Sequence, residues 1–148
     1  MTVRVQEADF DAGAEIARLR AGDHGVGAVA SFVGTVRAEN DASQVDAMFL
    51  EHYPGMTETA LADIVAGARA RFDVRDVLVI HRIGVLQPGD QIVLVVVTSA
   101  HRDMAFDACR YVIDLLKTQA PFWKKERTPA GERWVDARAS DEVAAGRW

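Results

Sequence analysis

Apolar positions recur along the chain with two spacings, and the switches between them mark out its elements. Leu61, Ile64, Val65, Ala68 and Phe72 fall at the i, i+3, i+4, i+7 spacing of one helical face, and Thr57 is the expected cap. Asp103 to Gln119 repeats the pattern with Phe106, Cys109, Val112, Ile113 and Leu116, and Pro121 ends it. A shorter helix is expected over Phe10 to Arg20, capped by Asp9 or Asp11, with Ile16 and Leu19 facing inward. Strands are predicted at Val3 to Glu7, Gly25 to Arg37, Val45 to His52, Val74 to Ile83 and Gln91 to Ser99. The turn sequence Gln87-Pro88-Gly89-Asp90 joins the last two. The run Ile92-Val93-Leu94-Val95-Val96-Val97 lacks alternation, which predicts a central strand covered on both faces.

Ala38 to Ser43 reads as a mobile polar loop. Phe122 to Thr128 and Glu132 to Asp136 read as a hairpin around Pro129-Ala130-Gly131, and Ser140 to Trp148 has helical composition. The predicted fold class is therefore α+β, with residues 1–148 forming a single domain. One mixed or antiparallel sheet is covered by two long helices, and the C-terminal hairpin forms a small subdomain.

Charge sharpens this picture. The chain carries 17 Lys and Arg against 22 Asp and Glu, for a net charge of -5. Basic residues nevertheless gather at both ends of the Asp103 to Gln119 segment and just beyond it, which suits a small anionic ligand and disfavours a nucleic-acid footprint. No apolar run reaches the ~18–20 residues of a membrane span. The N-terminal segment has no apolar signal core, so a cytoplasmic location is expected. The single cysteine, Cys109, excludes an internal disulfide and falls on a buried helical stripe, where an inert thiol is expected.

Four groups are candidates for chemistry. Lys117, at the carboxyl end of a helix, is either a surface lysine held by the helix dipole or a partly buried amine with a lowered pKa. Lys124 and Lys125 follow one another on a predicted strand, so only one can face a site. His101 and Arg102 stand where a strand gives way to a helix N-terminus, as either a solvated capping turn or an anion site. Arg37 ends a long strand before a polar loop. His24, His52 and His81 show no metal-ligand spacing and are read as structural; no metal site and no cofactor are expected. His101 and Lys117 are about 15 residues apart, roughly 24 Å along one helix. One small ligand cannot reach both within a subunit, so a pocket containing both requires two chains.

Several blocks carry a family resemblance. They are Phe32-Val33-Gly34-Thr35-Val36-Arg37, Leu50-Glu51-His52-Tyr53-Pro54-Gly55-Met56, Ile80-His81-Arg82-Ile83-Gly84 and Thr98-Ser99-Ala100-His101-Arg102. Leu116-Lys117-Thr118, Ala120-Pro121-Phe122-Trp123-Lys124 and Arg133-Trp134-Val135-Asp136-Ala137-Arg138 complete the set. In this order the chain resembles the large, catalytic subunit of molybdopterin synthase over nearly its whole length.

The resemblance implies an α/β hammerhead fold and a sulfurtransferase of molybdenum cofactor biosynthesis. The substrate would be cyclic pyranopterin monophosphate, which gains the two dithiolene sulfurs of molybdopterin. Sulfur would arrive as a thiocarboxylate at the C-terminal Gly-Gly of a small ubiquitin-like carrier subunit. The assembly would be a heterotetramer built on a homodimer of large subunits. By the same resemblance Lys117 is at the reacting centre with Lys124 beside it. Thr35, Val36, Arg37, His101, Arg102, Lys124, Lys125 and Glu126 would line the substrate site, with Arg138 associated. Thr35 stands where some relatives have lysine, Ile113 where some have methionine, and Gln119 where some have a basic residue. Two rival readings are a non-catalytic module that docks a ubiquitin-like tail and a metal-free phosphate-ester hydrolase using His101.

Overall fold

The computed structural model describes residues 2–40, 42–135 and 139–148. Its elements in chain order are β1 (Val3–Gln6), α1 (Ala12–Arg20), β2 (Ala28–Thr35), β3 (Glu39–Asn40), β4 (Ser43–Gln44), β5 (Ala47–His52) and α2 (Met56–Arg71). They continue with β6 (Asp76–Arg82), β7 (Gly84–Leu86), β8 (Gln91–Ser99), α3 (Arg102–Gln119), β9 (Phe122–Thr128), β10 (Gly131–Val135) and α4 (Ala139–Ala145).

The unalternating run of β8 lies inside a four-stranded sheet of order β1-β6-β8-β2. β8 runs antiparallel to both neighbours, while β1 is parallel to β6, so the sheet is mixed. One face, through Val77, Val79, Val93, Val95 and Val97, packs against the apolar sides of α2 and α3. The other face, through Leu78, Ile80, Leu94 and Val96, is covered by Phe10, Ile16 and Leu19. Each of the valines on β8 that is removed from water contributes about 1.5–3 kcal/mol.

The expectation of one sheet is corrected. β9 and β10 form no separate hairpin subdomain: they belong to a second four-stranded antiparallel sheet, β10-β9-β5-β7. Gly84, at φ 89°, turns the chain out of the first sheet, so Gly84–Leu86 pairs with β5 in the second. That left-handed conformation carries no penalty only for glycine.

Other corrections are local. The small pair β3–β4, Glu39–Asn40 against Ser43–Gln44, overlaps the segment Ala38 to Ser43, where a loop is expected. Gly25–Gly27 precede β2, because Gly27 lies against the Ala100 carbonyl so closely that a Cβ would meet its oxygen at 2.1 Å. Asp11, not Asp9, caps α1, its carboxylate accepting from the Ala14 N–H at 3.0 Å. Thr57 sits within the first turn of α2, where its buried hydroxyl accepts from the Tyr53 N–H and donates to the Pro121 carbonyl, both at 2.9 Å. It thereby ties α2 to the chain entering β9. On α3 the buried face runs through Ala105, Ala108, Cys109, Val112 and Leu116, and Phe106 is 64% exposed. The small side chains of Ala105 and Ala108 let the helix approach the sheet, and Phe106 falls about 100° off that line.

The C-terminal end folds back. Trp148 meets the Phe72 and Tyr111 rings edge-on at 5.7 and 5.6 Å and donates its indole N–H to Asp114 at 2.8 Å. Thus α4 is held against α3 beside the end of that helix that carries Lys117. No helix among the described residues is long and apolar enough to cross a membrane.

Candidate active site

A cleft of about 380 Å³ opens where the carboxyl end of α3, the end of β2 and the inner face of β9 converge. β2 reaches it through a register shift between Gly34 and Thr35. Beyond that irregularity Val36 is pinned beneath the turn before β8, its N–H donating to the Asp90 carbonyl at 2.9 Å and its carbonyl accepting from the Gly89 N–H at 2.8 Å. Val36 is buried, while its neighbours Thr35 and Arg37 line the cleft. The alternation of an extended chain sorts these three residues into one packing side chain and two facing the cavity.

The same alternation sorts β9. Phe122, Lys124 and Glu126 line the cleft. Lys125 faces the other way, 3.2 Å from the Glu132 carboxylate and 4.9 Å from the centre of the Trp134 ring. From α3, Leu116, Lys117 and Thr118 complete the opposite wall. Lys117 and Lys124 are therefore brought to one cavity from two different elements.

That proximity has an electrostatic consequence. Burial, followed by the charge of Lys117, pushes the Lys124 amine down from 10.5 to about 8, against the pull of Asp141 and Glu126. About a tenth of it is then uncharged at pH 7. His81, on β6, also lines the cleft, with its ring stacked 3.7 Å from that of Phe122. Its Nδ1 lies 2.8 Å from the Arg82 carbonyl. A carbonyl can only accept, so Nδ1 carries the proton and Nε2 is left as an acceptor. Burial, with the nearby Lys124 and Lys117 charges, lowers this imidazole to about 3 and keeps it neutral. The surroundings can thus hold an anion, keep one amine partly deprotonated and present one uncharged ring nitrogen.

His101 and Arg102 are placed elsewhere. Both are exposed at the opposite end of α3, with His101 in the N-cap position and making no side-chain cap bond. The helix has 18 residues, so its two ends lie roughly 27 Å apart. Arg138 lies outside the described residues. Cys109 is buried and its thiol is pushed up to about 11 by that burial, which suppresses the reactive thiolate.

Four polar cleft residues escape the sequence reading: Asn40, His81, Thr118 and Asp141. Strand alternation across Val77, Val79 and His81 carries a signal for the histidine, since it shares the face of β6 that packs under α3. Asn40 and Asp141 carry no local signal, because each reaches the cleft only through distant parts of the chain. Among the described residues no three His, Cys, Asp or Glu side chains gather as a metal cage.

The family model described as MoaE protein matches residues 5–119. The chain is 65% identical over 147 residues to a molybdopterin synthase catalytic subunit of Ralstonia nicotianae, covering 99% of this chain and 84% of that one. It is 56% identical over 148 residues to the corresponding subunit of Pseudomonas aeruginosa, covering 100% and 99%. Among solved structures, a molybdopterin biosynthesis MoaE protein from Burkholderia ambifaria superposes with a TM-score of 0.86 at 56% identity, covering 99% of this chain and 97% of that one. A molybdopterin synthase from Staphylococcus aureus superposes with a TM-score of 0.85 at 28% identity, covering 92% and 98%.

Proposed function

The chain belongs to the MoaE family of molybdopterin synthase catalytic subunits, and from that premise we propose that the cleft holding Lys117 and Lys124 is its sulfur-transfer site. The enzyme is a sulfurtransferase of molybdenum cofactor biosynthesis. It moves sulfur from the C-terminal thiocarboxylate of a small ubiquitin-like carrier to cyclic pyranopterin monophosphate. The convergence of the two lysines in one walled cavity is the observation that carries the site assignment.

The chemistry follows from the side chains. The substrate is an anion, and Arg37 with Thr35 at the cleft edge suits its phosphate. The carrier's thiocarboxylate sulfur attacks an electrophilic carbon of the pterin, forming a carbon–sulfur bond as a carbon–oxygen bond at that carbon breaks and the oxygen departs with the electron pair, to be protonated. Water then attacks the acyl carbon, the acyl–sulfur bond breaks, and the carrier leaves as a carboxylate. A second charged carrier repeats the step. Lys117 positions or deprotonates the reacting groups, and Lys124 offsets charge developing near the acyl–sulfur bond. Well-aimed cationic donors of this kind are worth about 3–4 kcal/mol of barrier. A buried Cys109 cannot carry the sulfur, which suits a donor supplied by another chain.

His101 and Arg102 join this reading only through a second copy. The length of α3 keeps them from the cleft of their own chain, so in a homodimer they would enter the neighbour's site. On the same proposal the fold is an α/β hammerhead, residues 1–148 are one domain and the cytoplasm is the location. Lys125 and Val36 contribute through the backbone and packing, since their side chains face away from the cavity or are buried.

The test is mass spectrometry of precursor incubated with the purified chain and thiocarboxylated carrier. A gain of two sulfurs is expected. Unchanged precursor, or loss of phosphate without sulfur, would contradict the assignment.

A further inference from the structure

Glu126 is the most buried charged side chain at the cleft, at 1% exposure, and its oxygens are already engaged. Asn40 donates its side-chain amide to Oε2 at 2.9 Å. Arg133 donates from Nε and Nη2 to Oε1 at 3.2 and 3.0 Å. The same guanidinium reaches the hairpin β3–β4, donating to the Asn40 carbonyl at 2.9 Å and to the Ser43 hydroxyl at 3.4 Å. β9 and β10 thus grip the hairpin through one carboxylate and one guanidinium.

The grip fixes the orientation of Asn40. A carboxylate only accepts, so the amide must turn its NH₂ toward Glu126 and its oxygen away. Arg37 uses that oxygen: its Nη2 donates to Asn40 Oδ1 at 3.4 Å. The partners form a continuous line, Arg133 to Glu126 to Asn40 to Arg37, ending at the guanidinium that lines the cavity. A carboxylate beside an anionic substrate would ordinarily repel it. Here its lone pairs are taken up in orienting the amide that holds the substrate's arginine.

We propose that Glu126, Asn40 and Arg133 are positioning residues, which set the Arg37 guanidinium for the substrate phosphate by dictating which end of the Asn40 amide it meets. This inference rests on the reading of Arg37 as a phosphate ligand. It concerns residues that touch Arg37 or one another, not the reacting atoms.

Exchanging the amide and the carboxylate within the pair isolates the effect. In Glu126→Gln, the new amide keeps its oxygen on Arg133 and points NH₂ at Asn40. Asn40 must then turn over and present NH₂ to Arg37. Asn40→Asp sets two carboxylates against each other. In the double variant, the amide introduced at position 126 donates to the carboxylate introduced at position 40, whose other oxygen again receives Arg37. KM for cyclic pyranopterin monophosphate is measured with thiocarboxylated carrier in excess, well below each variant's melting temperature, for these three variants and for Arg37→Ala.

Arg37→Ala should raise KM by about ten-fold or more, and each single exchange by about five-fold, the scale of losing one ordinary hydrogen bond. The double variant should return to within about two-fold of wild type, a coupling that mere loss of packing would not produce. If Asn40→Asp fails to fold, Glu126→Gln alone still decides, since wild-type KM there overturns the proposal. A raised KM in Arg37→Ala without rescue in the double variant defeats the positioning role alone. An unchanged KM in Arg37→Ala removes the phosphate reading, and the positioning role with it.

Discussion

Lys117, from the last turn of α3, acts across the cleft on Lys124 of β9, and its charge together with burial holds the Lys124 amine near 8. A cation kept below its ordinary value opposes folding while it stays charged. The unfolded chain binds its proton up to about 10.5, and the folded chain releases it above about 8. The penalty is therefore fully present below about 8 and fades as pH rises between those two values.

Lys124→Met should accordingly stabilise the fold by up to about 3 kcal/mol at pH 7 while lowering turnover about 10²–10³-fold. Denaturant unfolding of both proteins measures the first effect. The difference should shrink as pH rises from about 8 toward 10.5. A variant less stable than wild type at pH 7 would show that the buried ammonium is better compensated than this.

The length of α3 means that Arg102 can serve a cleft only from a neighbouring chain, so the proposed site is shared between two subunits. A dimer purified to contain one Lys117→Ala and one Arg102→Ala subunit concentrates both defects in one cleft and leaves the other intact. Its activity should recover to about half of wild type, whereas each homodimeric variant stays inactive. No recovery in the mixed dimer would mean that Arg102 serves its own subunit, and a fully active Arg102→Ala homodimer would mean that it serves neither site.

Trp148 fastens the end that carries Asp141 to the cleft wall. Its ring packs on Phe72 and Tyr111, its N–H bonds Asp114, and its carbonyl accepts from Arg71 at 3.0 Å. Trp148→Ala should cost about 1–3 kcal/mol, less than a fully enclosed aromatic, because the residue is only partly buried. A thermal melt unchanged from wild type would show that this contact does not hold α4.

Elements governed by local pattern are legible in the chain. The run from Ile92 to Val97 announces a central strand, and strand alternation foretells that Lys124 and Lys125 part company. The division into two sheets is not legible, since it depends on β5 pairing with β9 some seventy positions away, Leu50 opposite Lys124 among them. Periodicity also places Phe106 inside, because its rule does not distinguish a large side chain from the small alanines that permit close approach. The same limit applies at the site. Lys117 and Lys124 stand out as cations beside apolar residues, but Asn40 meets Glu126 across 86 positions, a contact with no trace in local sequence.

Mass spectrometry of the pterin after a single incubation with thiocarboxylated carrier, comparing wild type with Lys117→Ala, reads the role of the cleft most directly. Wild type should deliver two sulfurs, while Lys117→Ala should bind carrier normally yet leave nearly all precursor unsulfurated, a loss of roughly 10²–10³ in rate. Sulfur gain by Lys117→Ala at close to the wild-type rate would place the reacting centre elsewhere.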